Sequence, residues 1–383
     1  MKKITFTLLL LIASWQATQA QDWSMYKALN DSAYQTMADY QAGNKYQKDA
    51  ILFMDMVADT HPYYIKPERR ADWFAKKAAL LEKCKTIDTD EALADALNEV
   101  LGKLKDNHTG VTTPKQLRER NIAERNKLRE AGITSFAPDS EHIMRPHATV
   151  YDYQIFPEPS ICYLQFNKCT ENQADPFATF LNRMFAEMEE GNINTLVVDV
   201  QYNNGGSDRY WNMLIEHLYP IRKIKPFTAY LRFSDFMTAY YPNVEAMKKN
   251  WEREGHKDEL FQQPAGNIPD GYEQPKLYEG QVVFVMGTKT FSSAGNLITI
   301  ARDNHIGTII GTTSTFGPSH YGNVLPFRLP NTDVYGSISS QFFVRPDESK
   351  SEEPFMQPDI ELNLEDKDAA WQFIVEKYGK SDK

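Results

Sequence analysis

Residues 290–295 read Thr-Phe-Ser-Ser-Ala-Gly, between an apolar run at 282–286 and a helix-like run at 296–303. A strand that turns into a helix through small hydroxyl residues can hold a nucleophile. Free backbone N–H groups and the helix dipole there favour developing negative charge. The same residues also fit an ordinary helix N-cap. A second turn, from Asp199 to Gly206, follows an apolar strand and opens a helix. Its paired glycines, Gly205 and Gly206, permit close backbone approach and leave N–H groups to donate to an oxyanion or a phosphate. It lacks the spacing and Lys of a P-loop, and it also fits a plain structural turn. His108 reads as the end of a helix, where an imidazole suits the dipole, and Glu352 as a loop acid. Taken together, a hydroxyl, an imidazole and a carboxylate can form the nucleophile, base and orienter that acyl transfer requires.

The elements that must position these groups are legible in outline. Residues 22–105 are helical and amphipathic, with Leu97, Val100, Leu101 and Leu104 recurring at three- and four-residue steps. Residues 116–130 are densely charged and read as a solvated helix or arm, and residues 138–159 are irregular and Pro-containing. Beyond residue 160 the pattern alternates. It predicts strands over 161–166, 195–200, 282–286 and 308–310, and helices over 176–190, 210–218 and 296–303. That order implies an α/β core with a mixed or parallel sheet. The organisation is then a helical domain over 21–110, a connecting segment over 111–160 and a core over 161–375. A polar, aromatic insertion at about 226–278 covers either a cleft or only a surface.

Bulk properties bound the setting. Met1, Lys2 and Lys3 precede an apolar stretch, and small residues lead up to Ala20. This reads as a secretory signal peptide over 1–20, cut after Ala20, which implies an exported protein, periplasmic or extracellular. The apolar stretch is too short to span a bilayer, and no later segment predicts a transmembrane helix. With 42 basic and 52 acidic residues the net charge is −10, which argues against a nucleic-acid partner. Cys84, Cys162 and Cys169 have neither a disulfide-framework nor a zinc-site spacing. Cys162 reads as a small buried strand residue.

Five segments, in order, resemble the S41 serine peptidases, the tail-specific or C-terminal-processing family. Residues 105–109 resemble its "DxHT" segment and residues 199–206 its "DLRxNxGG". Residues 282–294 resemble the strand and "TxSSAE" that carry the nucleophile. Residues 307–311 resemble the next strand, and residues 352–359 resemble "ExxGVxPD". The resemblance implies an α/β fold with a ClpP/crotonase-like core of β-β-α units behind an N-terminal helical domain. It implies Ser292 as nucleophile, the Ser293 N–H and that of Gly205 or Gly206 as oxyanion hole, and peptide or protein as substrate. One branch of the family places a Lys in "TxGKG" after the serine. Residues 315–320 here contain no Lys, so the Ser-His-Glu branch is implied, with His108 as base, Glu352 as orienter and His320 as the competing base. A second departure is Gly295, where the family usually has Glu. No metal or organic cofactor is implied, and no PDZ domain separates His108 from the core. Two other classes fit the same fold: a non-catalytic protein for a hydrophobic ligand, and a pseudoenzyme in a surface complex. Cleavage preference and oligomeric state stay open.

Overall fold

The structure is a computed structural model that describes residues 26–102, 104, 106–130, 143–144 and 149–380. The expected leader lies outside these residues, as do 131–142 and 145–148 of the expected connecting segment. A short strand β1 (Lys27–Ala28) precedes helices α1 (Ala38–Ala42), α2 (Lys45–Thr60), α3 (Pro67–Ala75), α4 (Lys77–Cys84) and α5 (Asp90–Leu101). The helix starts are locally specified. Asn44 and Gln47 form a reciprocal capping box on α2, Pro67 opens α3, and Thr89 caps α5. Strand β2 (Gly110–Thr112) and helix α6 (Pro114–Glu130) follow.

The alternating region runs β3 (Tyr151–Phe156), β4 (Ile161–Phe166), α7 (Phe177–Glu190), β5 (Thr195–Asp199) and α8 (Asp208–Leu218). The insertion contributes β6 (Thr228–Leu231), α9 (Asp235–Tyr240), α10 (Val244–Arg253) and β7 (Phe261–Gln262). Then come β8 (Gln281–Met286), α11 (Ser293–Asp303), β9 (Thr308–Gly311), β10 (His320–Arg328), β11 (Tyr335–Val344), β12 (Ile360–Glu361) and α12 (Lys367–Tyr378). The fold is therefore α/β, as the alternation predicts, but it contains two sheets.

The first sheet has the order β12-β9-β8-β5-β4-β3, parallel except for the antiparallel pair of β3 and β4. Leu196, Val198 and Phe284 pack against α7, α8 and α11 on one face. Val197, Val283 and Val285 pack against Ala370 and Ile374 of α12 on the other. Coverage on both faces is why these strands read as continuous apolar runs.

The second sheet has the order β1-β10-β11-β6-β7, with β2 also paired to β11. Its hairpin, β10 and β11, shares one core with the N-terminal helices. Phe53, Leu97, Leu325, Phe327 and Ile338 meet there, joined by Leu231, Met237 and Val244 of the insertion. Tyr230 and the aromatic residues after it thus belong to the flank of this sheet.

A buried ion pair fixes the helix that follows Ser292 to the second sheet. Arg345, just after β11, donates to Asp303 at the end of α11, with both side chains wholly buried (Nη2 to Oδ1 2.6 Å, Nε to Oδ2 3.0 Å). Removing Asp303 leaves the buried guanidinium with only the partly exposed Glu353 as a counter-charge. Asp303→Ala should therefore lower stability by roughly 3–5 kcal/mol, read by urea unfolding. A loss below about 1 kcal/mol, the range of an exposed pair, would show that this pair does not hold α11 in place.

Candidate active site

The turn between β8 and α11 is stitched to the loop after β5. Gly287 N–H donates to Thr290 Oγ1 (2.9 Å), which donates to the Val200 carbonyl (2.9 Å), and Phe291 N–H donates to the Asn203 carbonyl (3.0 Å). Ser292 follows with φ 53° and ψ −124°, backbone values that cost an L-residue about 1–3 kcal/mol. A strained strand-to-helix turn is also how a nucleophilic hydroxyl is lifted clear of its backbone. Ser292 stands at the N-cap position of α11, yet its side chain caps nothing. The neighbouring Ser293 is buried, and its hydroxyl donates to Asp208 Oδ1 (2.7 Å). Of the two adjacent serines, Ser293 is tied down, and Ser292 has no hydrogen bond on its hydroxyl among the described residues.

The glycine turn lies directly against this serine. Gly205 has φ 101°, and a Cβ there would stand 2.7 Å from Ser292 Cβ and 3.0 Å from the Ser293 nitrogen. Gly206 (φ 143°) is pressed on Cys169, whose carbonyl oxygen would be 2.1 Å from an added Cβ. The two expected oxyanion donors then separate. Gly205 N–H donates to Asn203 Oδ1 at 2.9 Å, which occupies it. Gly206 N–H and Ser293 N–H have no acceptor among the described residues. Asp199 is structural: its buried carboxylate accepts from Tyr163 and from Gln201.

His108 is not at a helix end, because α5 stops at Leu101 and His108 sits in the turn before β2. It is organised by Asp106, a residue the sequence did not single out. The Asp106 carboxylate is 1% exposed. Its Oδ1 accepts the His108 N–H (2.8 Å) and lies 3.6 Å from His108 Nδ1. Its Oδ2 meets Thr109 Oγ1 (2.6 Å), Ser339 Oγ (2.8 Å) and His61 Nε2 (3.0 Å). Since Tyr63 N–H donates to His61 Nδ1, the proton of a neutral His61 is on Nε2, facing Asp106. Burial would raise the Asp106 pKa, but hydrogen bonds from His108 and His61 hold it far below the usual carboxylate range. The aspartate two residues before His108, the first residue of "DxHT", was the available signal.

The His108 ring stacks on Phe291, the residue immediately before Ser292, with centroids 4.7 Å apart. The candidate base and the candidate nucleophile are thus linked through one side chain, with no hydrogen bond between them in this structure. His320 approaches too, its ring 6.0 Å from that of His108. Part of the residue reaches solvent, but its ring is enclosed by Phe316, Phe343 and Phe227. Burial, aided by the nearby His108, lowers its pKa to about 3. Its Nδ1 lies 3.4 Å from the Pro318 carbonyl, and no carboxylate is hydrogen-bonded to it among the described residues.

Glu352 is not brought to His108. It is exposed and has no hydrogen bond or ion pair among the described residues. Its neighbour Glu353 is held instead by buried Arg345 (2.6 Å), which anchors the loop elsewhere. The carboxylate at His108 is Asp106. Gly295 also has a physical reason: a Cβ there would fall 2.1 Å from the Phe316 ring. Phe316 is buried and touches Phe291, His108 and His320.

The sequence model of Peptidase family S41 matches residues 160–362, more than half of the 383 residues. The chain belongs to peptidase family S41. Three solved structures share its fold. Mature CPAF has 12% identity over 87% of this chain and 96% of its own, with a TM-score of 0.57. The photosystem II D1 C-terminal processing protease has 12% identity, coverage of 88% and 98%, and a TM-score of 0.50. A lipoprotein from Streptococcus agalactiae has 12% identity, coverage of 86% and 97%, and a TM-score of 0.51. Comparison with curated proteins gives no match. Among the described residues no helix is long and apolar enough to cross a membrane. His108 and Asp106 lie before the segment that the family model matches.

The burial of His320 has a consequence for stability against pH. Its folded pKa, about 3, lies below the ordinary value of about 6.5. The unfolded chain therefore takes up the proton first on acidification. The stabilisation is complete above about pH 6.5 and is lost as pH falls towards 3. His320→Phe, which keeps an aromatic ring, should flatten the dependence of Tm on pH across that window. An unchanged slope would show that other groups carry the acid sensitivity.

Proposed function

We propose that this S41 family member is an exported serine peptidase that cleaves peptide bonds through an acyl-enzyme on Ser292. The observation that carries this reading is the free Ser292 hydroxyl on a strained turn, with His108 stacked on the adjoining Phe291. Ser292 Oγ attacks the scissile carbonyl carbon while its proton passes to the imidazole. The carbonyl π electrons move onto oxygen, where the N–H groups of Ser293 and Gly206 donate. Asp106, beside Nδ1, orients the ring and stabilises the imidazolium. Collapse of the tetrahedral intermediate expels the amine, which takes the proton from His108, and water then repeats the sequence on the acyl-enzyme. In unliganded enzymes such catalytic hydrogen bonds are often long and tighten only with substrate bound. That is how we read the present separation of Ser292 and His108.

A second reading, a non-catalytic binding protein, draws on that same separation. Labelling with a fluorophosphonate distinguishes the two. Under the peptidase reading, Ser292→Ala removes labelling and hydrolysis, whereas Ser293→Ala retains labelling at Ser292. His108→Ala should lower kcat by roughly a thousandfold or more. Asp106→Asn, measured on protein verified as folded, should lower kcat by roughly a hundredfold or more. Glu352→Gln, at an exposed position, should stay within about twofold. A large loss in Glu352→Gln with little in Asp106→Asn would reverse the assignment of the orienting carboxylate. Labelling of wild type at no serine would favour the binding protein.

A further inference from the structure

A cavity of about 1220 Å³ opens beside His108, and its walls carry a charge opposite to that of the chain. Its floor is one end of the second sheet. Arg328, Tyr335 and Thr112 lie in register across β10, β11 and β2, so their side chains share a face. In the next same-face row along β11, Ser337 pairs with Gly110, and the Ser337 hydroxyl donates to the His108 carbonyl (2.7 Å). The floor therefore leads straight to the candidate base, which also lines the cavity. One wall is α6. Thr113 and Gln116 form a capping box that fixes its start. Pro114, Leu117, Arg118 and Asn121, at three- and four-residue steps, then face inward.

Three arginines, Arg118, Arg120 and Arg328, line this space. All three residues are exposed, and none of their guanidinium groups has a hydrogen bond or ion pair among the described residues. The acidic residue lining the cavity is Asp333. In a chain of net charge −10 this is a local excess of positive charge. It faces solvent without internal partners, and unpaired guanidiniums match carboxylates in geometry as well as charge. Strand addition is not the means of capture at the centre of β2. The Asn98 carboxamide occupies both main-chain groups of Val111 (Nδ2 to O 2.8 Å, N to Oδ1 3.0 Å).

We infer that this cavity is a substrate subsite for carboxylate groups, so that the enzyme prefers peptides carrying acidic groups close to the scissile bond. The inference rests on the peptidase reading for its link to cleavage, but not for its link to binding.

The test uses acetylated, amidated fluorogenic peptides identical except for Glu or Gln at the residues flanking the cleaved bond. A second pair differs only in a free or amidated C-terminus. Wild type should cleave the Glu peptide with kcat/KM roughly three- to tenfold above the Gln peptide, and the ratio should fall with added salt. The double variant Arg118→Gln with Arg328→Gln should bring the ratio close to one, whereas Arg222→Gln, in a distant surface turn, should leave it unchanged. A preference for the free C-terminus over internal Glu would identify the terminal carboxylate as the source. A wild-type ratio of one in both pairs, or a ratio that survives the double variant, overturns the inference. Fluorescence anisotropy of the same peptides on Ser292→Ala separates the two readings. Acid-selective binding that needs Arg118 and Arg328, without hydrolysis by wild type, keeps the subsite and rejects the peptidase. Hydrolysis with neither preference does the opposite.

Discussion

The carboxylate of Asp106 is the point on which the rest of the site depends. Removing a charge from water is costly unless its oxygens are filled with donors. Here the donors come from separate parts of the chain: His61 after α2, His108 and Thr109 in the turn itself, and Ser339 on β11. The negative charge stays buried only while these segments meet. One residue therefore joins the helical part to the second sheet and sets the orientation of His108. Arg232 extends the chain of contacts, donating from the insertion to the His61 carbonyl (2.8 Å).

The two halves of the site belong to different sheets. Ser292 stands at the end of a parallel strand, where β8 gives way to α11, backed by the Gly205 turn that leaves the adjacent strand β5. His108 precedes β2, which is paired to β11 of the other sheet. They meet through a layer of rings, Phe291, Phe316 and His108, so packing rather than a direct bond holds them near each other. The wholly buried pair of Arg345 and Asp303 secures this meeting from behind, linking the end of α11 to the end of β11.

The two segments that depart from the family pattern touch each other. Residues 315–320 lack the Lys of the other branch: Pro318 stands at the Lys position of "TxGKG", and Phe316 at its variable position. Phe316 needs the space that a side chain at position 295 would fill, and Gly295 provides it. The same ring covers His320 and touches His108.

What the sequence determined by itself is mostly local. Apolar runs covered on both faces marked β4, β5, β8 and β9, three- and four-residue periodicity marked the N-terminal helices, and the hydroxyl turn marked the segment that holds Ser292. In each case the signal lies within a few residues, because strand and helix periodicity and cap chemistry act at that range. The hairpin of β10 and β11 was not legible. Its first strand carries Gly322, Asn323 at φ 52° and Pro326, none favourable in a strand, and its pairing comes from the core it shares with the helices. Tertiary structure also decided which carboxylate lies beside His108, which glycine N–H has no acceptor among the described residues, and which serine hydroxyl is already bonded. Glu352 and Asp106 are equivalent as residue types. Only folding distinguishes them, because a carboxylate acts on an imidazole through a few ångströms of space, and one loop is anchored to Arg345 while the other is buried beside the ring.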